Sequence, residues 1–461
     1  MSNHDLPHRD IADGDMRHHL DEAIILSGDE VQAAYAKDWS EAAAHLPEIV
    51  LRPRTIDEIS QILTLAQSHG QRIVTQGGRT GLAGGATPQQ SEWVLSVERL
   101  NKIIALDPIG QTITVEAGVT LQQIQEAASA HNLMFPLDLG ARGTATAGGI
   151  TATNAGGNQV IHYGVTRQLV LGMSAVMADG TVMRQDNHLL KNNAGFDLKQ
   201  LLIGTEGVLG VIGTVTFRLF PKRDITKTAL CAVTSFDDVT KLLFHVSKSL
   251  IGLTSFEVLW EDYLSEITAV TDKPPLFDGR APFVVLIEVE AATDTGDVEA
   301  CLMAAVETGL ISDAMIAQNE SQRAQFWSYR DAIAELLTEM APNVNFDIGV
   351  PIAKMGAFTS DVTKALKQKF PTIRLVTFGH IGDGNLHISC TTGHAQDQVP
   401  IEDLVFAKAT QMGGTITAEH GIGILKKPWL KDCRAADDIL LMKRLKAMFD
   451  PADILNKGRV I

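Results

Sequence analysis

The sequence predicts an α+β protein in which a glycine-rich domain for an extended anionic ligand precedes a second domain built around histidines. Three observations carry this expectation. Two separate glycine-rich loops follow strand-like runs in the first half of the chain. Strand-like and helix-like runs alternate after about residue 222, which suggests an α/β layer with its own core. Finally, Gly379-His380-Ile381-Gly382-Asp383-Gly384-Asn385-Leu386-His387 sets two imidazoles across a glycine-punctuated turn, with Glu419-His420 downstream.

The chain's bulk properties set limits on what such a site can do. At 461 residues it exceeds the size at which one core keeps growing, so two domains or one elaborated one are expected. Lys and Arg number 39 against 55 Asp and Glu, a formal net charge of −16 that argues against nucleic acid or an anionic membrane as a general partner. An anionic substrate must then be held by local positive charge. Cys231, Cys301, Cys390 and Cys433 are scattered without a C-x-x-C pair, which suits reduced, buried thiols better than a disulfide framework. The first twenty residues mix acids with bases and lack an apolar centre, unlike a signal or transit peptide, and no run of ~18 apolar residues could span a bilayer. These features point to the cytoplasm, with peripheral attachment to a membrane left open, and to a protein that is not transmembrane.

Residues 1–46 read as a polar arm and a short helical pattern without nameable chemistry. From there Ile56, Ile59, Ile62, Leu63 and Ala66 have helical spacing, with Thr55 as cap, Glu58 three residues on and Gly70 as stop. Arg72 to Thr75 reads as a buried strand that runs into Gln76-Gly77-Gly78-Arg79-Thr80-Gly81-Leu82-Ala83-Gly84-Gly85. Such a loop lets several backbone N–H groups converge on one point, as a pyrophosphate requires. No Lys-Ser/Thr follows the glycines, and they do not open a helix in the dinucleotide manner. Taken alone, a tight structural loop would explain them as well.

A second run, Pro136-Leu137-Asp138-Leu139-Gly140-Ala141-Arg142-Gly143-Thr144, continues to Gly148-Gly149-Ile150-Thr151-Ala152-Thr153-Asn154-Ala155-Gly156-Gly157. Two cradles suggest one large ligand. Between them Ile113 to Val119 reads as a strand and Leu121 to His131 as a helix. Leu171 to Val176 and Thr181 to Met183 flank Asp179-Gly180, a hairpin signal, and Leu201 to Ile212 is a third glycine-spaced segment that ends in a strand.

In this order and spacing the blocks resemble the FAD-binding domain of the vanillyl-alcohol oxidase or para-cresol methylhydroxylase type. Within that family, PLDLGA, GG-x-x-ATNAGG and IGTEGVLGVI are similar to the D-2-hydroxy acid dehydrogenases, closer to the D-2-hydroxyglutarate than to the D-lactate branch. The resemblance implies a flavin domain over 47–222, an inserted α/β cap domain for substrate over 223–420, and a segment over 421–461 that returns to the flavin domain. It further implies that Gly77, Gly78, Arg79, Thr80, Gly81, Leu82, Gly84 and Gly85 hold the FAD pyrophosphate. Pro136, Leu137, Asp138, Leu139, Gly140, Thr144, Gly148, Gly149, Thr153, Asn154, Gly156 and Gly157 would line the ribityl chain and isoalloxazine. Glu206, Gly207, Gly210 and Ile212 would face the adenine side, and Asn456 the isoalloxazine. Some flavoproteins of this fold tether FAD through a loop histidine; 77–85 contains none, so the cofactor is expected to be non-covalent.

In the second domain, strands are expected over Ala229 to Val233 and Phe283 to Glu290, and helices over Val239 to Leu250 and Val298 to Thr308. A further helix, Ser321 to Leu337, carries Phe326 and Trp327 as core residues and Arg330, which reads either as a solvated arginine or as a carboxylate grip. Ile373 to Phe378 reads as a strand that delivers His380, and Asn385 to Ser389 as the next. On that second strand His387 and Ser389 share one face, which puts Cys390 on the other and makes it a poor ligand. Spacing alone also suits structural histidines. The resemblance implies that His380, His387 and Glu419 ligate a divalent metal such as zinc, that His420 is the base and that Arg330 binds the substrate carboxylate.

The implied activity is oxidation of a small D-2-hydroxy acid to the 2-oxo acid, with the hydroxyl proton going to His420 and a hydride to the flavin. The electrons would pass to an electron-transfer flavoprotein, quinone or cytochrome. An O2-reducing oxidase such as a glycolate oxidase, a flavin-carrying subunit of a larger complex, and a homodimer are further readings left open. Against the D-2-hydroxyglutarate pattern, Ala334 replaces a threonine, Asn345 a lysine and Ser389 an asparagine. Losing a cation at 345 weakens the case for a second substrate carboxylate.

Overall fold

The structure is a computed structural model that describes residues 16–291 and 297–461; most of the expected polar arm, residues 1–15, lies outside the described residues. The first layer holds two sheets. Strands Ile25–Ser27, Ile49–Leu51, Glu92–Ser96 and Arg72–Gln76 form a four-stranded sheet whose last three strands run parallel. Helix Ile56–His69 covers it: Thr55 accepts from the Glu58 amide at its start, and Gly70 ends it at φ 65°. Strands Ile103–Asp107, Thr112–Glu116, Val211–Arg218, Val170–Val176 and Val182–Gln185 form an antiparallel sheet of five, in which the Asp179-Gly180 turn joins the last two strands.

The second layer is one seven-stranded sheet. Its order is Asp313–Ile316, Ile225–Val233, Phe283–Ala291, Leu253–Trp260, Arg374–His380, Asn385–Thr391 and Val344–Gly349, and every neighbouring pair is antiparallel. The alternation of strand and helix in the sequence therefore arises without parallel neighbours. Helix Phe236–Ser249 carries the chain from strand Ile225–Val233 to Leu253–Trp260, one place removed, and Phe283–Ala291 fills the gap. The same β-α-β-β path recurs from Val344 onward, with helix Met355–Lys369 as its crossover and Thr415 bridging back to Gly349 as a vestigial fourth strand. Two such units meet edge to edge where Leu253–Trp260 pairs with Arg374–His380.

Alternation gives this sheet two different faces. On one, Phe256, Val258, Val285, Ile287, Leu386, Ile388 and Cys390 pack against Val239, Leu242, Phe358, Val362 and Val405 of the covering helices. On the other stand Glu257, Glu288, Asp347 and His380, all buried, and His387, half-buried. This polar face turns toward the first layer. Helix Val160–Tyr163 lies against strand Leu253–Trp260, and Ser255 donates to the Asn158 carbonyl at 2.9 Å. Gln159 and Tyr163 donate to Glu290 at 3.0 and 3.3 Å.

The expected single helix from Ser321 to Leu337 is two, Glu320–Asp331 and Ile333–Glu339, broken at Ala332. The Tyr263 hydroxyl takes the Tyr329 and Arg330 carbonyls at the first helix's C-terminal end, so the break costs fewer unsatisfied groups. Cys231, Cys301 and Cys390 are buried free thiols as expected, whereas Cys433 is half-buried.

The C-terminal residues close onto the first layer. Ile454 and Leu455 lie in its core, and Leu455 bridges Ile73 in parallel. Arg459 is 1% exposed and makes a two-pronged ion pair with Glu92 at 2.8 and 2.7 Å while donating to the Thr87 carbonyl. Arg459→Ala leaves the Glu92 carboxylate buried without its counter-ion, and should cost about 3 to 5 kcal/mol. Urea unfolding followed by circular dichroism checks this as a lowered midpoint; an unchanged midpoint would show that the pair contributes no net stability.

Candidate active site

The two glycine-rich loops enclose a cavity of ≈ 410 Å³. Of the residues expected to hold a cofactor, Gly77, Gly78, Arg79, Thr80, Gly81, Leu82, Gly85, Leu139, Gly140, Gly148, Gly149, Thr153, Gly156, Glu206, Gly207, Gly210, Ile212 and Asn456 line it. Gly84, Pro136, Leu137, Asp138, Thr144, Asn154 and Gly157 stand outside the lining. Several of these build the walls instead. A Cβ on Gly78 would overlap the Thr144 carbonyl and one on Gly157 the Asp138 carbonyl, so each pair fixes a close approach between loop segments. Asn154 ends helix Ala147–Thr153 and accepts from the Arg167 amide.

Asp38 and Trp39 also line the cavity, although the arm that carries them offered no sequence signal. Asp38 is buried and its carboxylate accepts from Ser40, Thr87 and the Ala86 amide, which ties the arm to the first glycine loop. Thr146, Ile150 and Ala152, between the expected positions, complete the second wall.

The cavity suits a long ligand read through backbone groups. A Cβ at Gly140 would meet no protein atom within 4 Å, so it would project into ligand space. On the wall the Thr75 hydroxyl and Arg79 Nη1 are buried without a hydrogen-bond partner among the described residues, Nη1 lying 3.9 Å from Glu98.

At one end of this cavity Glu419 and His420 come from the loop after Thr415. The second sheet supplies the rest. A nitrogen of His380, a nitrogen of His387 and an oxygen of Glu419 lie within 4.8 Å of one another, and so do ligand atoms of Asp347, Glu419 and His420. The His380 and His387 rings meet edge-on at 5.3 Å, and His387 faces His420 at 6.2 Å. The intervening turn depends on its glycines for two different reasons. Gly384 adopts φ 87°, whereas at Gly382 a Cβ would press on Ile161 and Phe256 of the packing beneath.

Partners outside the expected set orient these groups. Glu257, 1% exposed on strand Leu253–Trp260, accepts from His380 Nδ1 at 2.6 Å and from Arg330 Nε at 3.3 Å. Arg330 Nη2 stands 3.0 Å from His380 Nε2. Burial works against charge on His380, yet Glu257 outweighs it and raises the ring to about 9. The Nη2 contact requires a lone pair on Nε2, because a guanidinium can only donate, so the contact geometry selects the neutral Nδ1–H tautomer.

Asp347, fully buried, accepts from three successive amides, Ala418 at 3.1, Glu419 at 2.9 and His420 at 2.8 Å, and from the Thr417 hydroxyl. Burial opposes its charge; His420, Lys426 and these amides overcome that and hold its carboxyl below the usual range. Burial lowers His387 well below the ordinary histidine value and lowers His420 against the pull of Asp347. Burial raises Glu419 to about 7.

The three positions that depart from the D-2-hydroxyglutarate pattern are placed as follows. Ser389 is buried on the His387 face and pairs directly with Asn345, which is exposed and bonded to Asn343. Ala334 is exposed on helix Ile333–Glu339. Phe326 packs in a small core as expected, but the Trp327 indole donates to Glu288 at 2.8 Å.

Comparison with known proteins fits this architecture. Residues 47–186 match the FAD binding domain model, and residues 223–460 match the model described as FAD linked oxidases, C-terminal domain. The chain belongs to the FAD-linked oxidases. It is thus an FAD-dependent oxidoreductase. Among relatives of this family, the D-2-hydroxyglutarate dehydrogenase of Xanthomonas citri pv. viticola is 36% identical over 92% of this chain and 92% of its own. That of Stutzerimonas stutzeri is 34% identical over 95% and 96%. Para-cresol methylhydroxylase with substrate bound superposes with a TM-score of 0.76 over 96% of this chain and 95% of its own at 16% identity, which establishes the shared fold. As in a protein that binds FAD through its backbone, the cavity wall is glycine and small residues rather than a run of cations. Among the described residues no helix is long and apolar enough to cross a membrane.

The Asp347 anchor can be tested without any ligand. Asp347→Asn keeps the shape but removes the charge that the three amides share. Amide hydrogen exchange at 418 to 420 should accelerate by roughly 10- to 100-fold, the equivalent of about 1.4 to 2.7 kcal/mol. Exchange unchanged at these amides would mean the loop is held by something else.

Proposed function

We propose that this FAD-linked oxidase oxidises a D-2-hydroxy acid to the 2-oxo acid, with a divalent ion, zinc by the chemistry of its donors, held by His380, His387 and Glu419. The observation that carries the reading is the cluster of His380, His387 and Glu419, whose Glu419, together with His420, lines the glycine-rich cavity. Two imidazoles and one carboxylate with room for further ligands suit zinc or another divalent transition ion. Such an ion, when bound, supplies a Lewis acid beside the substrate hydroxyl. FAD, held at its pyrophosphate by Gly77 to Gly85, supplies the acceptor for two electrons.

The chain's own residues account for the rest. Burial favours the neutral form of His420, and its backbone N–H donates to Asp347 and so holds the loop that carries it, so its ring can take the hydroxyl proton. The Cα hydrogen leaves with its electron pair. Arg330, held from behind by Glu257, presents its remaining N–H groups to the substrate carboxylate. Glu257 also fixes which His380 nitrogen carries the proton and so keeps the lone pair on Nε2, the nitrogen that Arg330 Nη2 faces at 3.0 Å and that would turn to the ion in its place. The named activity of the relatives from Xanthomonas and Stutzerimonas supports the D-2-hydroxy acid class. An exposed, uncharged Asn345 extends that class to acids with one carboxylate. The electrons then leave to an electron-transfer flavoprotein, quinone or cytochrome.

Anaerobic bleaching of the flavin should discriminate between the hands of 2-hydroxyglutarate, lactate and malate, with the D forms reducing it; glycolate completes the series. If no 2-hydroxy acid of either hand bleaches the flavin, the substrate assignment is wrong. Exhaustive chelation should cut turnover at least ~100-fold, with recovery on adding zinc or another divalent transition ion, and His420→Asn should lower flavin reduction by about 10²- to 10⁴-fold with FAD still bound. Glu257→Gln should weaken binding of zinc by roughly 10- to 100-fold in a competition with a chromophoric chelator; affinity equal to the parent's would remove Glu257 from the site.

A further inference from the structure

Asn385 begins the strand that carries His387. It is 3% exposed, and neither its side-chain oxygen nor its nitrogen has a hydrogen-bond partner. Only its backbone amide is engaged, to Asp383 at 3.2 Å. A buried carboxamide with all its hydrogen-bonding capacity unused is costly, and in a folded protein such a group calls for a partner.

The register says where that partner would lie. Leu386, Ile388 and Cys390 point into the helix-covered core, so Asn385, His387 and Ser389 share the opposite, polar face. Phe378 pairs with His387 at the end of that ladder, and His380 and Asn385 are the strand residues on either side of the turn beyond it. On the other side Asn385 pairs with Gly349, against which Thr415 packs. The carboxamide thus stands on the face of His387, two residues from it along the strand. The polar groups gathered there include four carboxyl groups, those of Glu257, Asp347, Asp383 and Glu419. An anionic substrate needs N–H donors, and on this face Arg330 and Asn385 provide them.

We propose that Asn385 is a substrate-binding residue whose Nδ2 donates to the carboxylate of the 2-hydroxy acid, opposite the grip of Arg330. This rests on the substrate class argued above. It assigns the amide as a donor to the acid rather than as an added ligand for the ion, because His380, His387 and Glu419 already bring three donor atoms within 4.8 Å of one another.

The test uses the FAD-loaded protein, the product-like 2-oxoglutarate and pyruvate as unreactive probes, and the perturbation of the flavin spectrum as the readout. In Asn385→Ala the Kd for the bound 2-oxo acid should rise about 10- to 100-fold, with FAD content unchanged and zinc affinity within about threefold of the parent. Asn385→Asp places a carboxyl against the acid and should bind it more weakly still. Because the amide has no structural partner, thermal stability of the Ala variant without the probe should not fall. A Kd within about twofold of the parent's in Asn385→Ala, or tighter zinc binding in Asn385→Asp, would overturn the assignment. If the unaltered protein binds no 2-oxo acid and no 2-hydroxy acid bleaches it, the substrate class fails and takes this inference with it. Binding that survives Asn385→Ala removes this inference alone.

Discussion

The site depends on two buried carboxylates that hold one loop from opposite sides. Asp347, from the second sheet, takes the amides of Ala418, Glu419 and His420; Glu206, from the first layer, takes those of Ile422 and Gly423 at 2.7 and 2.9 Å. Between the two sets lies Gly421 at φ 79°, where a Cβ would press on the Glu206 carboxylate. The chain can therefore turn from one anchor to the other only through glycine. Each anchor belongs to a different layer, so the loop that carries Glu419 and His420 is positioned by the docking of the layers and not by either alone.

Charge burial on this scale needs compensation, and the fold supplies it locally. Lys426, buried with no hydrogen-bond partner for its Nζ, sits in the field of Asp347, Glu206 and Glu402. Burial drives its pKa down and the three carboxyl groups push it back up. Arg459 and Glu92 solve the same problem with a direct bidentate pair. The net charge of −16 is thus no guide to the site, where each buried acid answers to a named donor.

What could be read from the sequence was what local chemistry writes. The Thr55 cap and Gly70 stop, the Asp179-Gly180 turn and the glycine loops each declare themselves within a few residues, because steric and capping rules act at that range. His380, His387, Glu419 and Arg330 came together as expected. Glu257 did not announce itself: it lies 123 residues before His380, and a lone glutamate in an apolar run carries no local signal. Asp347 and Asp38 escaped for the same reason, since their partners are backbone amides and hydroxyls supplied by other segments. Gly84 and Gly157 stand outside the lining, since a glycine required by packing and one required by a ligand look identical in sequence, and Asn154 stands outside it as the cap of its helix.

The placement of Arg330 shows how such distant partners act together. Helix Glu320–Asp331 presents Arg323, Trp327 and Arg330 on one face at intervals of four and three residues. Arg323 grips Glu288 with two bonds of 2.8 and 2.9 Å, Trp327 adds a third to the same carboxylate, and Arg330 meets Glu257 on the strand beside it. Glu288 and Glu257 belong to neighbouring strands of the polar face. The helix is therefore docked by two glutamates spaced along the sheet, and its rotation about its axis is fixed by three side chains. The break at Ala332 lets Arg330 stand in the last turn, where the Tyr263 hydroxyl takes the freed carbonyls. A guanidinium on a flexible side chain is in this way given the direction of a rigid one, with Nε on Glu257 and Nη2 at His380.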